Sequence, residues 1–498
     1  MNTFSKINYK IIVHILGLLA IVNGLFMLMA AGTSWFYQDG QLEEFLLSGA
    51  VTIGAGTLLM LLTRIHRKEI QKREGYIIVT SGWITMAFIG TIPFIFTAAI
   101  PNFTDAFFES MSGYSASGAS ILPDVEIMPP SILLWRSITH WIGGMGIIVL
   151  AIAVLPLLGI GGMQLFAAEV PGPAGDKLHP RITDTAKRLW LIYVGYTLLE
   201  TILLKMAGMG WFDAVNHSMS TLSTGGFSTK NASIGYWNDN PAIQYIIVIF
   251  MFIGSCNLLL SYLAFKGRFR RVLKDEEFRM YIWLTLLFTA IIAAVVYLQT
   301  DFVSETATLW GGIEHAVRHA LFQVVSVIST TAFLTTDFTL WTPFITTLFF
   351  GMFFLGGSGG STAGGIKLIR HLILIRNGIL EFKRTLHPHA ILPVRYNDKA
   401  VPRPIVFNVL GFFILYMLTF IIGALVFAFL GLDYETAVGG SASILGNVGP
   451  ALGQLSPSDT YAELPALAKW WSCFLMLLGR LELFTVLILF TPFFWRNR

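Results

Sequence analysis

Ser223-Thr224-Gly225-Gly226-Phe227-Ser228 lies between two long apolar stretches, directly after a segment that could form a half-length helix. Three segments of the same kind occur elsewhere: Ser115-Ala116-Ser117-Gly118-Ala119-Ser120, Ser329-Thr330-Thr331-Ala332-Phe333 and Gly446-Asn447-Val448-Gly449-Pro450. Dehydrating a cation takes a ring of backbone carbonyl oxygens rather than a catalytic side chain. Four such loops within one apolar chain therefore predict an ion pore that is lined by backbone.

The composition around these loops is that of a polytopic membrane protein. Of the 498 residues, 55% are hydrophobic and 12% are charged, whereas about a quarter of the residues of a soluble protein are charged. A transmembrane helix needs about 20 predominantly apolar residues. Ten such spans are predicted, at 11–33, 45–63, 76–99, 131–159, 187–209, 241–265, 280–299, 340–378, 404–431 and 467–493. The expected fold class is thus all-α, with ten transmembrane helices.

Lysine and arginine cluster in alternate connections between these spans, and the other connections carry mostly acidic residues. The clusters are Arg64 to Arg73, Lys177 to Arg188, Lys266 to Arg279, Lys367 to Arg403, and Arg496 with Arg498. By the positive-inside rule, these connections and both termini are cytoplasmic, and all four loops lie on the outer side. Topogenic charge and contact with membrane lipids account for most of the basic residues. The loop 379–403 is the best candidate for docking a cytoplasmic partner.

Each loop belongs to a repeated unit of helix, re-entrant half-helix with loop, and second helix. The half-helices are predicted to begin near Asp105, Asp213, Glu314 and Asp433, because a carboxylate suits a helix N-terminus. Ordinary outer loops are the alternative, but recurrence at four corresponding positions disfavours it. The predicted organisation is a two-helix unit, 1–70, followed by four repeats around one pore, 71–165, 166–275, 276–385 and 386–498.

Two other functional classes find no support in the residues. An enzyme would need a Ser/His/Asp set, facing carboxylates or metal-ligand spacing, and none of these patterns is present. A sensor would need a soluble domain, and the longest connection, 379–403, is too short to fold by itself. We therefore expect a transporter or channel rather than an enzyme.

Five stretches carry a resemblance to a known family. They are Trp141-Ile142-Gly143-Gly144-Met145-Gly146-Ile147-Ile148-Val149-Leu150, Gly161-Gly162-Met163-Gln164-Leu165, Gly225-Gly226-Phe227-Ser228-Thr229 with Ala232-Ser233-Ile234-Gly235-Tyr236, Asn447-Val448-Gly449-Pro450, and Gly479-Arg480-Leu481-Glu482. In this order the sequence resembles, nearly end to end, the superfamily of K⁺ transporters and within it the TrkH/TrkG type of bacterial potassium-uptake membrane subunits.

The resemblance implies potassium uptake across the bacterial inner membrane through a selectivity filter of four loops. It also implies a homodimer with one pore per protomer, gated under the control of a cytoplasmic nucleotide-binding regulator of the TrkA type. K⁺ is then the transported ion, and neither an organic cofactor nor a nucleic-acid partner is expected. A Na⁺-permeable member of the same architecture, or one that couples K⁺ to Na⁺ or H⁺ by symport, is the alternative.

In the family each filter loop holds a glycine, which corresponds to Gly118, Gly226 and Gly449, whereas the third loop has Ala332. The predicted filter is Ser117, Gly118, Ala119, Gly225, Gly226, Phe227, Thr331, Ala332, Phe333, Val448, Gly449 and Pro450. The K⁺-binding carbonyls are expected near Ala116, Ser117, Ser223, Thr224, Thr330, Thr331, Asn447 and Val448. The methyl group of Ala332 would redirect a carbonyl or be absorbed by its neighbours, unless the register is shifted by one residue. Selectivity for K⁺ over Na⁺ is left open.

A glycine-rich run interrupts the predicted eighth span. Its members Gly356, Gly357, Ser358, Gly359, Gly360, Ser361, Thr362, Gly364 and Gly365 are the predicted gate. Each glycine costs about 1 kcal/mol in a helix relative to alanine, so the run should break the helix. It is not a Walker loop, because Ile366 and Lys367 follow Gly365 in place of Lys and Ser/Thr. A helix kink is the alternative to an intramembrane loop below the filter, and we expect few contacts to hold the run.

Arg480 is the second predicted component of the gate. An arginine deep in a span costs about 3 kcal/mol on insertion scales, so its side chain should face protein or water. One interpretation is an ion pair that locks helices together, with Glu482 as a candidate partner. The other directs Arg480 toward the pore, beside the glycine-rich run.

Overall fold

The computed structural model describes residues 7–63, 71–149, 182–300 and 309–496. Its α-helices are α1 Tyr9–Tyr37, α2 Leu42–Leu62, α3 Lys72–Phe96, α4 Phe103–Ser115, α5 Pro130–Val149, α6 Ile182–Met206, α7 Trp211–Leu222, α8 Pro241–Ser255, α9 Leu258–Phe265, α10 Phe269–Lys274, α11 Glu276–Gln299, α12 Leu309–Ile328, α13 Pro343–Met352, α14 Leu368–Leu386, α15 Arg403–Phe429, α16 Tyr434–Gly446, α17 Ala466–Arg480, α18 Phe484–Leu487 and α19 Pro492–Trp495. Short 3₁₀ helices cover Ser233–Trp237, Phe338–Leu340, Gly453–Leu455 and Ile488–Phe490.

One β-hairpin amends the prediction of an all-α fold. Its strands, β1 Arg395–Tyr396 and β2 Lys399–Ala400, pair antiparallel within the connection 379–403. Helix α14 extends through the first part of this connection to Leu386, and the hairpin packs through Tyr396 onto an apolar cluster between α14 and α15. The connection is therefore folded against the helices.

Several predicted features lie outside the described residues. They are the end of the fourth span at 150–159, the stretch Gly161-Gly162-Met163-Gln164-Leu165, the unit boundaries at 70 and 165, and the basic residues Arg64, Arg67, Lys68, Lys177, Arg181 and Arg498.

Six helices in the described ranges are long and apolar enough to cross a membrane. They are α1, α2, α3, the part of α6 from Lys187 to Met206, α11 and α15. Two bent pairs, α8 with α9 and α17 with the segment Phe484–Phe490, raise the number to eight if each pair is one span. These helices agree with a polytopic membrane protein, and the full count of ten stays a prediction.

Three predicted spans are not single helices. The span 241–265 bends by 107° between α8 and α9, because Asn257 caps the new helix by accepting from the Leu259 amide at 2.9 Å. The span 467–493 bends by 110° at Glu482 and Leu483, both of which have positive φ. The span 340–378 ends as a helix at Met352 and resumes at Leu368, with the glycine-rich run between.

The N-terminal helices α1 and α2 form a close hairpin that packs against α3 and α5. Glycine permits the close approach: a β-carbon added at Gly17 would lie 2.8 Å from the carbonyl oxygen of Gly56. One added at Gly24 would lie 2.5 Å from Cγ1 of Ile53. Small residues at the contact let two membrane helices pack without a hydrophobic driving force between them.

After this hairpin, an order of helix, second helix, loop and helix recurs along the chain. The helices that lead into the loops are α4, α7, α12 and α16; we call them the short helices, because three of them have 12 or 13 residues, whereas α12 has 20 and is not the half-length helix that the sequence predicted. Each packs against the helix that precedes it, and α4 also packs against α17 from the far end of the sequence. Asp105 and Asp213 lie in first turns and Asp433 caps α16, as predicted. Glu314 instead lies inside α12, where it pairs with Arg318.

Contacts between connections follow the predicted alternation of sides. Two predicted cytoplasmic segments meet where Arg376 Nη1 lies 2.7 Å from Glu276 Oε2. Two predicted outer segments meet where Asn231 Nδ2 donates to Asp124 Oδ1 at 2.7 Å. The contacts group the connections into two sets, and which set is cytoplasmic stays a prediction.

Candidate functional site

The four short helices end in the same backbone motif. In each, the first or second residue after the last helical residue has a left-handed backbone conformation. These residues are Ala116 (φ 52°), Thr224 (56°), Thr330 (56°) and Asn447 (53°). The next amide bonds to the carbonyl five residues earlier: Ser117 to Ser112, Gly225 to Ser220, Thr331 to Ser326 and Val448 to Ser443, at 2.8–3.0 Å. This pattern is the Schellman motif, which satisfies carbonyls that a helix end leaves free. The four loops therefore begin with equivalent geometry.

All four carbonyl acceptors belong to serine, a recurrence that the sequence-based interpretation missed. Each serine stands six residues before the loop glycine or its counterpart Ala332, and this spacing was available in the sequence. The Ser326 and Ser443 hydroxyls donate to the carbonyls of Phe333 and Pro450, at 2.6 and 2.7 Å. These hydrogen bonds hold the third and fourth loops against the ends of their own short helices.

Two residues beyond the left-handed position, φ is positive again in every loop. The values are 78° at Gly118, 87° at Gly226, 66° at Ala332 and 93° at Gly449. Ala332 thus occupies the same position and backbone conformation as the three glycines. A one-residue shift of the third loop, which the sequence left open, is wrong, and the methyl group has not forced another conformation.

The loops meet one another in ring order. A β-carbon added at Gly118 would lie 2.5 Å from the Gly225 carbonyl oxygen, and one at Gly226 would lie 2.1 Å from that of Thr331. One at Gly449 would lie 2.5 Å from the Ser117 carbonyl oxygen. The first loop therefore touches the second, the second touches the third, and the fourth touches the first.

Ala332 fills a space that all four residues share. Its Cβ would be 2.4 Å from a β-carbon added at Gly118 or at Gly226, and 2.9 Å from one added at Gly449. Real β-carbons do not approach so closely, so this space holds one methyl group and no second one. We call it the shared space.

A cavity of about 160 Å³ opens onto the loops from the side of the predicted outer connections. Gly118, Gly226, Ala332 and Gly449 all line it. One carbonyl oxygen in this region already accepts a hydrogen bond, because the Tyr461 hydroxyl donates to the Gly449 oxygen at 2.6 Å. The ring of loops is thus reachable from one side.

The predicted filter residues with large side chains turn them away from the shared space. Phe227 stacks on His140 with ring centroids 3.9 Å apart, and Phe333 lies against His217 at 5.6 Å. Both phenylalanines are buried. The loops consequently present backbone rather than aromatic side chains to one another.

The glycine-rich run lies directly against the C-terminal ends of three short helices. The Gly364 amide donates to Thr330 Oγ1 at 2.7 Å, and the Gly365 amide donates to the Gly446 carbonyl at 2.8 Å. Thr362 Oγ1 donates to the carbonyls of Leu222 and Gly254, both at 3.0 Å. The structure brings together the two segments that the sequence separated as filter and gate.

More contacts hold this run than its glycine content led us to expect. The Ser358 amide donates to the Ser255 carbonyl at 2.9 Å, and the Gly359 amide donates to Glu277 Oε1 at 2.8 Å. Gly356 and Ile366 close the run by a backbone bond of 3.0 Å. The run is a loop held by these hydrogen bonds, so the alternative of a helix kink and the expectation of few contacts are both wrong.

Arg480 is buried and bonded to the run. Its Nη1 donates to the Thr362 carbonyl at 2.7 Å. The proposed partner Glu482 instead forms an ion pair with Arg370, whose guanidinium lies 3.8 Å above the ring of Phe412. The interpretation in which Glu482 locks Arg480 is therefore wrong.

Comparison with known proteins gives consistent matches over nearly the whole chain. Residues 41–497 match the TrkH family, which is described as cation transport protein. The Trk system potassium uptake protein TrkH of Salmonella typhimurium is 42% identical over 98% of this chain and 100% of its own length. The Trk system potassium uptake protein TrkG of Escherichia coli K12 is 34% identical over 100% of both chains. The crystal structure of the potassium transporter TrkH from Vibrio parahaemolyticus, 38% identical, superposes with a TM-score of 0.88 over 98% of this chain and 100% of that one.

Proposed function

Because the chain belongs to the TrkH family of cation transport proteins, we propose that it takes up potassium ions across the bacterial inner membrane. Membership of a transporter family also confirms that it is not an enzyme. One observation carries the proposal: four loops with the same backbone conformation meet in ring order around one shared space. A ring of loop carbonyls is the arrangement that replaces the hydration shell of K⁺.

The filter of this proposal consists of the loop residues 117–119, 225–227, 331–333 and 448–450. The ion enters through the outer cavity and exchanges water for carbonyl oxygens near residues 116–117, 223–224, 330–331 and 447–448. The C-terminal ends of the short helices carry partial negative charge, so they favour a cation at the point where they converge.

The gate of this proposal is the glycine-rich run 356–365 together with Arg480. Its support is position: the run bonds to Thr330, Gly446 and Leu222 at the ends of three short helices. Closed, it obstructs the route between the loops and the cytoplasmic side. Opening requires the run to give up these hydrogen bonds.

Regulation comes from outside the chain in this proposal, since an open K⁺ path would dissipate the membrane potential. A cytoplasmic nucleotide-binding subunit of the TrkA type docks on the connection 379–403, where Lys383 and Lys399 are exposed. The chain acts as a homodimer in contact with membrane lipids, with both termini cytoplasmic. Each protomer holds the two-helix unit 1–70 and the repeats 71–165, 166–275, 276–385 and 386–498 around its own pore.

The Ala332 methyl group in the shared space favours one alternative strongly enough to test: a Na⁺-permeable or symporting member of the same architecture. Uptake of K⁺ and Rb⁺ into liposomes containing the purified protein, with Na⁺ competition, separates the two. We expect K⁺ uptake that excess Na⁺ barely reduces. Equal Na⁺ uptake would assign the chain to the alternative, as would K⁺ accumulation that needs a Na⁺ or H⁺ gradient.

A further inference from the structure

A buried ion pair lies next to the first and second loops. Arg136 on α5 and Glu109 on α4 lie 2.7 Å apart, with 2% and 0% of their side chains exposed. Burying two charges costs several kcal/mol per ion, and the mutual attraction often does no more than offset that cost. The stability of the fold is therefore a weak explanation for this pair, and its further hydrogen bonds suggest another.

Glu109 fixes the segment that leaves the first loop. Its Oε1 accepts from the Ser120 hydroxyl at 3.0 Å, and its Oε2 accepts from the Ile121 amide at 2.9 Å. Ser120 follows Gly118 by two residues. The carboxylate thus controls where the chain goes directly after the positive-φ residue.

Arg136 reaches the equivalent point of the second loop. Its Nη1 donates to the Ser228 carbonyl at 3.3 Å, and its Nη2 donates to the Ser120 hydroxyl at 3.1 Å. Ser228 follows Gly226 by two residues, as Ser120 follows Gly118. The guanidinium also lies 4.1 Å above the Phe227 ring. One planar group therefore joins corresponding positions of two neighbouring loops.

The other two loops are braced differently. The hydroxyls of Ser326 and Ser443 bond to carbonyls of their own loops. The corresponding Ser220 hydroxyl lies 3.1 Å from His140 Nδ1 instead. The Ser112 hydroxyl has no hydrogen-bond partner among the residues described. The charged pair acts on the two loops whose serines do not brace them.

We propose that Arg136 and Glu109 are positioning residues that hold the first and second loops at a fixed separation and so set the preference for K⁺ over Na⁺. This inference rests on the proposed K⁺-uptake function. Hydrogen bonds to charged groups are shorter and stronger than neutral ones, and the guanidinium fork has a rigid geometry. A carbonyl ring discriminates between ions by the arrangement of its oxygens, which depends on how the loops are held.

The test replaces both partners, Arg136→Met with Glu109→Leu, because removing one alone would leave a buried unpaired charge. We expect K⁺ flux in liposomes to continue and the K⁺/Na⁺ preference to fall about tenfold, through loss of charge-assisted bonds to both loops. The matched control is Lys469→Met with Asp105→Leu. That pair, in which Lys469 is buried and Asp105 is 27% exposed, also links α4 to a neighbouring helix, but Lys469 Nζ bonds to Asp105 and the Ala462 carbonyl rather than to a filter loop.

The outcomes separate positioning from general stability. A loss of preference in the Arg136–Glu109 variant alone supports the proposal, whereas unchanged preference, or an equal loss in the control, overturns it. If the double variant does not fold, Arg136→Lys decides: a weakened preference at full charge supports the role of the fork, and a parental preference overturns it. Failure of the parent protein to take up K⁺ would instead sink the proposed function.

Discussion

At the second positive-φ position of the loops, Ala332 is the only residue that carries a side chain, since the other three loops have Gly118, Gly226 and Gly449 there. A non-glycine residue in the left-handed region costs on the order of 1 kcal/mol and persists where its surroundings hold it there. The hydrogen bond from Ser326 to the next carbonyl, that of Phe333, supplies such support. The methyl group therefore occupies the shared space without changing the conformation of the third loop.

Replacing Ala332 by glycine should relieve a crowded point of the proposed pathway. The change empties the shared space and relieves the backbone strain at φ 66°. We expect Rb⁺ uptake to rise about threefold, with the K⁺/Na⁺ preference kept or raised, because the loop already has the backbone conformation of the other three and only the methyl group is removed. Ala451→Gly, the same chemical change two residues after Gly449, is the control. A clear fall in K⁺ preference in Ala332→Gly would contradict the assignment of this residue to the filter.

Replacing Gly118 by alanine should do the reverse. The new β-carbon would lie 2.4 Å from Cβ of Ala332 and 2.5 Å from the Gly225 carbonyl oxygen. Overpacking of this kind typically costs about 1–3 kcal/mol. We expect K⁺ flux to fall below detection, while Gly54→Ala, where nothing lies within 4 Å, conducts like the parent.

A double variant separates the two clashes. Gly118→Ala combined with Ala332→Gly moves the methyl group to the first loop and leaves only the contact with the Gly225 oxygen. We expect flux to stay low, since that oxygen is backbone and cannot move aside. Full recovery of K⁺ flux would show that conduction depends only on how many methyl groups the shared space holds, and not on which loop carries them.

Roles of single residues could be predicted where a pattern recurs along the sequence. They could not be predicted where a role depends on contacts between residues that are far apart in the sequence. The family resemblance placed Ala332 opposite Gly118, Gly226 and Gly449 but left a one-residue shift open, and the positive φ of Ala332 settled the register. The pairing of Glu482 with Arg370 joins residues 112 positions apart, and no local spacing indicates it. The same is true of Arg480 and Thr362, which are 118 positions apart.

Among the elements, bends in helices escaped prediction because hydropathy averages over a whole window. The windows 241–265 and 467–493 are predominantly apolar, yet both helices turn by more than a right angle. A capping Asn257 in one and positive φ at Glu482 in the other are single-residue features. The break at the glycine-rich run was predicted, because six glycines in ten residues change the window itself.

The link between Arg480 and the glycine-rich run predicts a gating phenotype. Arg480→Ala removes the bond to the Thr362 carbonyl and a positive charge beside the proposed gate; at 4 Å such a charge repels a cation by about 4 kcal/mol at an effective dielectric of 20. We expect basal Rb⁺ flux without a regulator to rise at least about tenfold, because a third of that repulsion already corresponds to a factor of about ten. Arg318→Ala, a buried arginine bonded to Glu314 and Gln244, is the control. Folded Arg480→Ala protein that conducts no faster than the parent would count against a gating role.

At the scale of the whole molecule, three consecutive acidic residues connect the β1–β2 hairpin with the glycine-rich run. Asp275 Oδ2 accepts from Asn397 Nδ2 at 2.9 Å, and the Glu276 amide donates to Asn397 Oδ1 at 3.0 Å. Glu277 accepts from the amides of Gly359 and Ile369, at 2.8 and 3.0 Å. We therefore expect a displacement of the hairpin to reach the run through the start of α11.

Asn397→Gly should separate regulator binding from regulation. Asn397 has φ 46°, which glycine adopts freely, so the hairpin keeps its turn while the side-chain bonds to Asp275 and Glu276 are lost. We expect a TrkA-type regulator to bind the variant as tightly as the parent in a pull-down, yet to lose most of its nucleotide-dependent control of Rb⁺ flux. Lys383→Glu with Lys399→Glu should instead abolish binding, because both side chains are exposed on the proposed docking face. If Asn397→Gly retains full control, the signal does not depend on the Asn397 side chain; the Asn397 amide still donates to Glu276 Oε2 in this variant, and the Tyr396 hydroxyl to Asp275 Oδ2.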